Sequence, residues 1–155
     1  MSIEVRVRPI HLLTRGESLS LRELCNDGSQ MQGWFDGILE GEPVPPCWVA
    51  FVRRRGKVVA WASVSDWRDH QQVQAFTHEA YRGRGLMRLA VQALVAEGLF
   101  ARSQRPERSV ATFSPTVAEA VAAQGLSVAD YEKQGEEWVL VARIEGAPHC
   151  VCCCA

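Results

Sequence analysis

Tyr81-Arg82-Gly83-Arg84-Gly85 packs two glycines, two arginines and a tyrosine into consecutive positions, the stretch of this sequence best equipped to hold an anion. Glycine lets a backbone turn tightly and come close to a ligand. The run that follows, Leu86 to Phe100, has helical spacing, with Arg84, Arg88 and Gln92 recurring as a polar stripe. A helix starting there points its first free N–H groups, and the positive end of its dipole, into the turn. A strand, a glycine turn and a helix N-terminus together suit a pyrophosphate, and Arg82 and Arg84 add charge. The plainer alternative is a strand-to-helix turn with solvated arginines. The order of elements around the turn favours the anion site.

A second concentration of chemistry closes the chain, in His149-Cys150-Val151-Cys152-Cys153-Cys154-Ala155. Such soft ligands suit zinc or copper, but the usual C-x₂-C spacing is missing and adjacent cysteines do not readily face one ion. Acylation of the thiols is a second option, and an oxidation-prone, disordered tail is the plainest. No metal site is assigned. Cys25 and Cys47 lie far apart, so the six cysteines do not resemble the framework of a secreted disulfide scaffold.

The elements that must position the turn are legible from periodicity. Ile3, Val5 and Val7 alternate with Glu4, Arg6 and Arg8, a half-buried strand closed by Pro9. Two short helices follow, separated by Asn26-Asp27-Gly28-Ser29, and Gly41 with Pro43 stops the second. Trp48 to Val52 and Val58 to Val64 read as strands covered on both faces, joined by a connection from Arg53 to Lys57. Asp66 to His70 is a turn, and Gln72 to Thr77 gives a fourth strand. The helix from Leu86 to Phe100 is predicted to be largely buried. A strand over Ser109–Phe113 and a helix capped by Ser114, with Pro115 first and Gly125 beyond its end, come next. Val128 to Lys133 and Trp138 to Ile144 form a last hairpin. The predicted fold class is α/β (α+β): a mixed, mostly antiparallel sheet of about six to seven strands flanked by four helices. Residues 1–145 form one domain, and residues 146–155 a flexible cysteine-rich tail.

At 155 residues such a domain buries roughly 70% of its unfolded surface, and 47% hydrophobic residues suffice for that core. With 17 Lys plus Arg against 18 Asp plus Glu, the net charge of −1 speaks against a general nucleic-acid binder. Neither a signal peptide nor a membrane-length apolar run is visible, so a soluble cytoplasmic protein is expected.

His78-Glu79-Ala80-Tyr81-Arg82-Gly83-Arg84-Gly85-Leu86-Met87-Arg88-Leu89 resembles motif A of the GNAT N-acetyltransferases, Arg/Gln-x-x-Gly-x-Gly/Ala. Taken from Arg82, the motif has Met87 where Gly or Ala is usual; taken one turn earlier, Gly83 and Gly85 fill the glycine positions and Ala80 replaces the Arg or Gln, and the element order matches that family over residues 3–144. The resemblance implies acetyl-coenzyme A as co-substrate, with backbone N–H groups of Arg82, Gly83, Arg84, Gly85, Leu86 and Met87 on its pyrophosphate. It implies a pantetheine arm along Phe76, Thr77 and His78. It also implies a base and an acid: His78 or Glu79 as base, directly or through water. The family's usual tyrosine acid falls near Val121, which leaves Tyr131 or Ser114 to protonate the thiolate. Trp34 and Trp67 fall where this fold builds its acceptor pocket, whereas Trp48, Trp61 and Trp138 fall in strands and read as core. Asp66 and Asp69 suit a cationic amine but equally suit a turn.

The expected function is therefore N-acetylation of a primary amine (a protein lysine, a protein N-terminus or a small molecule) by direct attack in a ternary complex. The alternative is a non-catalytic module of the same fold that keeps cofactor binding. An unrelated nucleotide-binding domain would need a longer glycine loop or a Lys-Ser/Thr pair, and neither is present.

Overall fold

The computed structural model describes residues 2–25, 30–66, 70–99, 107–112, 115–123, 127–134 and 137–143. The tail cysteines, Trp67, Asp69 and Ser114 lie outside them. The elements run β1 (Ile3–Pro9), α1 (Arg15–Leu24), α2 (Gln30–Glu40), β2 (Cys47–Arg54), β3 (Lys57–Asp66), β4 (His70–Thr77), α3 (Leu86–Ala96), β5 (Glu107–Thr112), α4 (Pro115–Ala122), β6 (Ser127–Gln134) and β7 (Glu137–Arg143). They build one seven-stranded sheet of order β1-β2-β3-β4-β5-β7-β6. Every neighbouring pair is antiparallel except β4 with β5.

The central strands are apolar on both sides because both sides are covered. Ala50, Val52, Ala60, Ala62, Val64 and Val73 bury against Leu86, Ala90, Val91 and Leu94 of α3 and Val117, Ala120 and Val121 of α4. On the opposite face Val49, Phe51 and Trp61 bury against Leu21 of α1 and Met31 and Phe35 of α2. Phe35 meets Trp61 edge to face, with ring centroids 5.8 Å apart. Trp61 is buried and Trp48 half-buried, as their place in strands requires.

Thr14 starts α1 through a capping box. Its hydroxyl accepts the Glu17 N–H at 3.1 Å, and the Glu17 carboxylate accepts the Thr14 N–H at 2.9 Å. The same carboxylate is buried beneath β1 and β2, 3.0 Å from Arg8 and 3.7 Å from Arg53. Burial alone pushes the Glu17 carboxyl up. The Thr14 N–H and the Arg8 guanidinium outweigh it and hold the carboxyl below its ordinary value.

Two boundaries differ from the sequence reading. The β2–β3 connection is only Arg55-Gly56, with φ of 53° and 74°. Two consecutive positive φ values are the geometry of the tight hairpin turn whose twist matches that of strands. Arg53 and Arg54 are thereby strand residues, facing opposite sides of the sheet. Helix α3 ends at Ala96 rather than Phe100, because Gly98 takes the left-handed conformation at φ 70°. It is also not largely buried: Leu86, Ala90, Val91 and Leu94 form one buried stripe, while Leu89 is exposed. Among the described residues no helix is long and apolar enough to cross a membrane.

Candidate functional site

Strands β4 and β5 run side by side only briefly. They pair at His70↔Ser109, Gln71↔Val110 and Gln72↔Ala111, whereas β4 continues to Thr77. From Val73 onward β4 keeps its bonds to β3, yet no ladder pair joins it to β5 among the described residues.

Beyond β4 the chain turns into the glycine segment that leads to α3. The His78 N–H closes onto the Val59 carbonyl at 2.9 Å. Glu79–Tyr81 forms a single 3-10 turn, and His78 Nδ1 accepts the Ala80 N–H at 3.1 Å to cap it. Gly83 and Gly85 both take positive φ, 79° and 74°, values that a side chain would strain. Gly85 is the N-cap of α3 and has no side chain to satisfy the first turn of N–H groups. Those donors are available to an anion.

A cavity of about 750 Å³ lies against these elements. Of the residues expected to hold the cofactor, Phe76, Thr77, Arg82, Gly83, Gly85, Leu86 and Met87 line it. Ala75, Tyr81, Arg88, Thr116 and Val117 complete the wall. The start of α4 thus faces the same space as the start of α3. The volume and the mixed lining suit a long ligand with an anionic centre and an apolar arm.

Cations and rings alternate along the turn, although Arg84, also expected to hold the cofactor, is not among the residues that line the cavity. Arg82 donates from Nε to the Thr77 carbonyl at 3.1 Å and lies 5.8 Å from the Phe76 ring centre. Arg84 lies 5.6 Å from the Tyr81 ring centre, and Arg54 reaches the same ring at 5.4 Å from the end of β2. The His78 ring meets Tyr81 edge-on at 5.8 Å. Tyr81 also packs against the α3-side core, so one ring ties the turn to three neighbours.

The remaining sequence candidates are placed as follows. His78 and Glu79 are exposed at the end of β4, and neither lines the cavity. With Nδ1 accepting the Ala80 N–H, neutral His78 carries its proton on Nε2 and has no open lone pair. Its role in the structure is a cap. Trp34 is half-buried on α2 and packs on the α1–α2 side of the sheet, away from the cavity lining. The backbone of Tyr131 sits on β6, opposite Leu140 and two strands out from β5. Burial first, then the Asp66 charge, pushes the Cys47 thiol up to about 12, which disfavours its thiolate form.

Sequence reasoning missed Thr116 and Val117, passed over Arg88 as part of a polar stripe, and left Arg54, which packs on Tyr81, in a loop. A two-residue turn at Arg55-Gly56 was the signal that would have moved Arg54 into a strand. Nothing local in the sequence brings the start of α4 to the turn.

The fold has close counterparts among solved structures. A ribosomal-protein-S5-alanine acetyltransferase from Vibrio fischeri superposes with a TM-score of 0.60 at 16% identity, covering 93% of this chain and 95% of its own. A ribosomal L7/L12 α-N-protein acetyltransferase in complex with coenzyme A gives 0.60 at 14% identity, covering 96% and 97%. An acetyltransferase from Salmonella typhimurium with its cofactor acetyl-CoA gives 0.58 at 17% identity, covering 93% and 94%. At these identities the likeness is one of fold. No curated protein matches the sequence itself. Residues 14–122, more than half of the chain and the stretch that runs from the Thr14 cap through the glycine turn to α4, match the acetyltransferase (GNAT) family. The chain belongs to the GNAT acetyltransferase family.

Proposed function

We propose that this protein is an acetyl-CoA-dependent N-acetyltransferase acting on a primary amine. The observation that supports this best is the juxtaposition of the C-terminal end of β4 with the Gly83–Gly85 turn and the start of α3 around one cavity. The diphosphate sits on the N–H groups of the turn and the first turn of α3, with Arg82 and Arg84 beside it. The pantetheine arm follows Phe76 and Thr77 along β4. Two of the solved structures of this fold hold acetyl-CoA or coenzyme A, which supports the choice of ligand.

In the reaction the neutral amine attacks the thioester carbonyl. A C–N bond forms, the C–S bond breaks, and the proton lost by nitrogen ends on the coenzyme A sulfur. Holding both reactants in one complex supplies much of the acceleration, on the order of several kcal/mol. His78 is occupied as a cap, so exposed Glu79 is the better of the two candidate bases, directly or through water. Ser114 or Tyr131 serves as the acid. The acceptor is a protein lysine, a protein N-terminus or a small amine, with Trp34 and Trp67 in its pocket.

The capping role of His78 also favours a second reading, a module of this fold that binds coenzyme A without transferring acetyl groups. Turnover separates the two. Purified protein is incubated with acetyl-CoA and a panel of peptides and small amines, and release of the free thiol is followed. Acceptor-dependent release supports the enzyme. Tight binding of acetyl-CoA with no release across the panel supports the module.

A further inference from the structure

Among the described residues, Arg82 and Arg88 are the cations that line the cavity at the glycine turn. Arg82 is held on the β4 side, by the Thr77 carbonyl and the Phe76 ring. Arg88, the third residue of α3, is exposed and forms no ion pair with any described residue. Its place is unfavourable without a ligand. The first turn of a helix carries the positive end of the dipole, where an acidic side chain stabilises and a cation does not. Helix α3 has no acidic residue in that turn, and Gly85 offers no side chain to its free N–H groups. A long helical side chain leans back toward the N-terminus, so Arg88 reaches over the end of α3 that faces the cavity.

We propose that Arg88 is a specificity-determining residue that binds the ribose 3′-phosphate of the acyl carrier, so that the site selects coenzyme A over carriers lacking that phosphate. The inference rests on the reading of the turn as an acetyl-CoA site. The cavity wall combines the end of β4, the glycine turn, and the starts of α3 and α4 with Arg88 and Thr116. In that reading the pantetheine arm takes β4 and the diphosphate takes the turn. Arg88 is left for the part of the carrier beyond the diphosphate, and the charged group there is the 3′-phosphate. A guanidinium suits a phosphate because its planar fork donates two parallel bonds. Exposure keeps the contribution moderate and sensitive to salt.

The test titrates the full-length, reduced wild type, Arg88→Gln and Arg88→Lys with coenzyme A and with dephospho-coenzyme A, which lacks only the 3′-phosphate. The wild type is expected to bind coenzyme A about tenfold more tightly than dephospho-coenzyme A, the size of one charge-assisted contact. In Arg88→Gln that preference disappears, because coenzyme A weakens while dephospho-coenzyme A binds as before. Arg88→Lys keeps part of the preference, and added salt shrinks it in the wild type. The melting midpoint of unliganded Arg88→Gln is expected to equal or exceed that of the wild type, since a cation has left the positive end of α3. A wild type that binds both ligands equally overturns the inference and leaves the site in place. So does an Arg88→Gln protein that loses affinity for both alike, which would put the guanidinium on the diphosphate. A wild type that binds neither overturns the reading of the turn, and the inference with it.

Discussion

Arg53 and Arg54 are adjacent on one strand and have opposite fates. Arg53 faces α1, where the buried Glu17 carboxylate gathers it together with Arg8 and, at 3.9 Å, Arg6. Arg54 faces α3, where it joins Arg84 on the ring of Tyr81 while Arg82 lies over Phe76. On the first face a carboxylate answers the guanidiniums, and the cluster pins a capped helix to the sheet edge. On the second face the guanidiniums pack on aromatic rings, which attract a cation through their quadrupole. The lesson is that neighbouring arginines of one strand can take part in unlike settings, one around a buried carboxylate and the other on an aromatic ring of the glycine turn.

The largest expected effect breaks the carboxylate side. Glu17→Ala removes the counterion and half of the capping box, and it is expected to cost about 2 kcal/mol. That figure sits below the usual loss for a buried pair because the outer arginines are partly solvated. Denaturant unfolding measures it, and acetyl-CoA affinity should survive unchanged.

The same carboxylate gives a pH dependence. Its folded value lies below its ordinary value of 4.5, so the unfolded chain binds the proton more readily. The stabilisation is complete above the ordinary value and is lost as pH falls through the folded one. Wild type should therefore lose stability more steeply than Glu17→Gln on acidification below pH 4.5. Parallel acid melts of the two proteins check this.

The aromatic side behaves in the reverse sense. Arg84→Gln is expected to weaken acetyl-CoA by about tenfold, or about 1.4 kcal/mol, with the thermal midpoint hardly moved. A comparable loss of fold stability would mean that Arg84, like Arg53, serves the fold. The smallest effect concerns the tight turn that follows the two strand arginines. Arg55 has φ 53°, a conformation that asparagine tolerates better, so Arg55→Asn should stabilise the hairpin by about 0.5 kcal/mol. The gain would appear in the thermal midpoint alone.

Much of this was legible before any coordinates. Element order, the mostly antiparallel sheet and the glycine turn follow from local periodicity and local turn chemistry, which the sequence writes out directly. Gly83 and Gly85 are the clearest case, since both positions require the positive φ that glycine supplies. Illegible were the features that depend on what lies opposite. Thr14 and Glu17 carry a capping-box spacing, but only the sheet edge shows why the carboxylate is buried. Arg54 looks like one more loop cation until a two-residue turn carries β2 past it. Nothing local in the sequence marks His78 as the cap of the turn after β4, where its Nδ1 accepts the Ala80 N–H. Thr116 and Val117 reach the cavity through the packing of α4 beside α3, which leaves no local mark.

The central claim is that acetyl-CoA binds at the Gly83–Gly85 turn, and calorimetric titration of the reduced protein with acetyl-CoA tests it most directly, repeated with Gly85→Trp. Gly85 lines the cavity and takes φ 74°, so tryptophan there both strains the turn and fills the space of the diphosphate. The account predicts micromolar binding to the wild type and none to a Gly85→Trp protein that remains folded by circular dichroism. Equal binding to both, or none to the well-folded wild type, would contradict it.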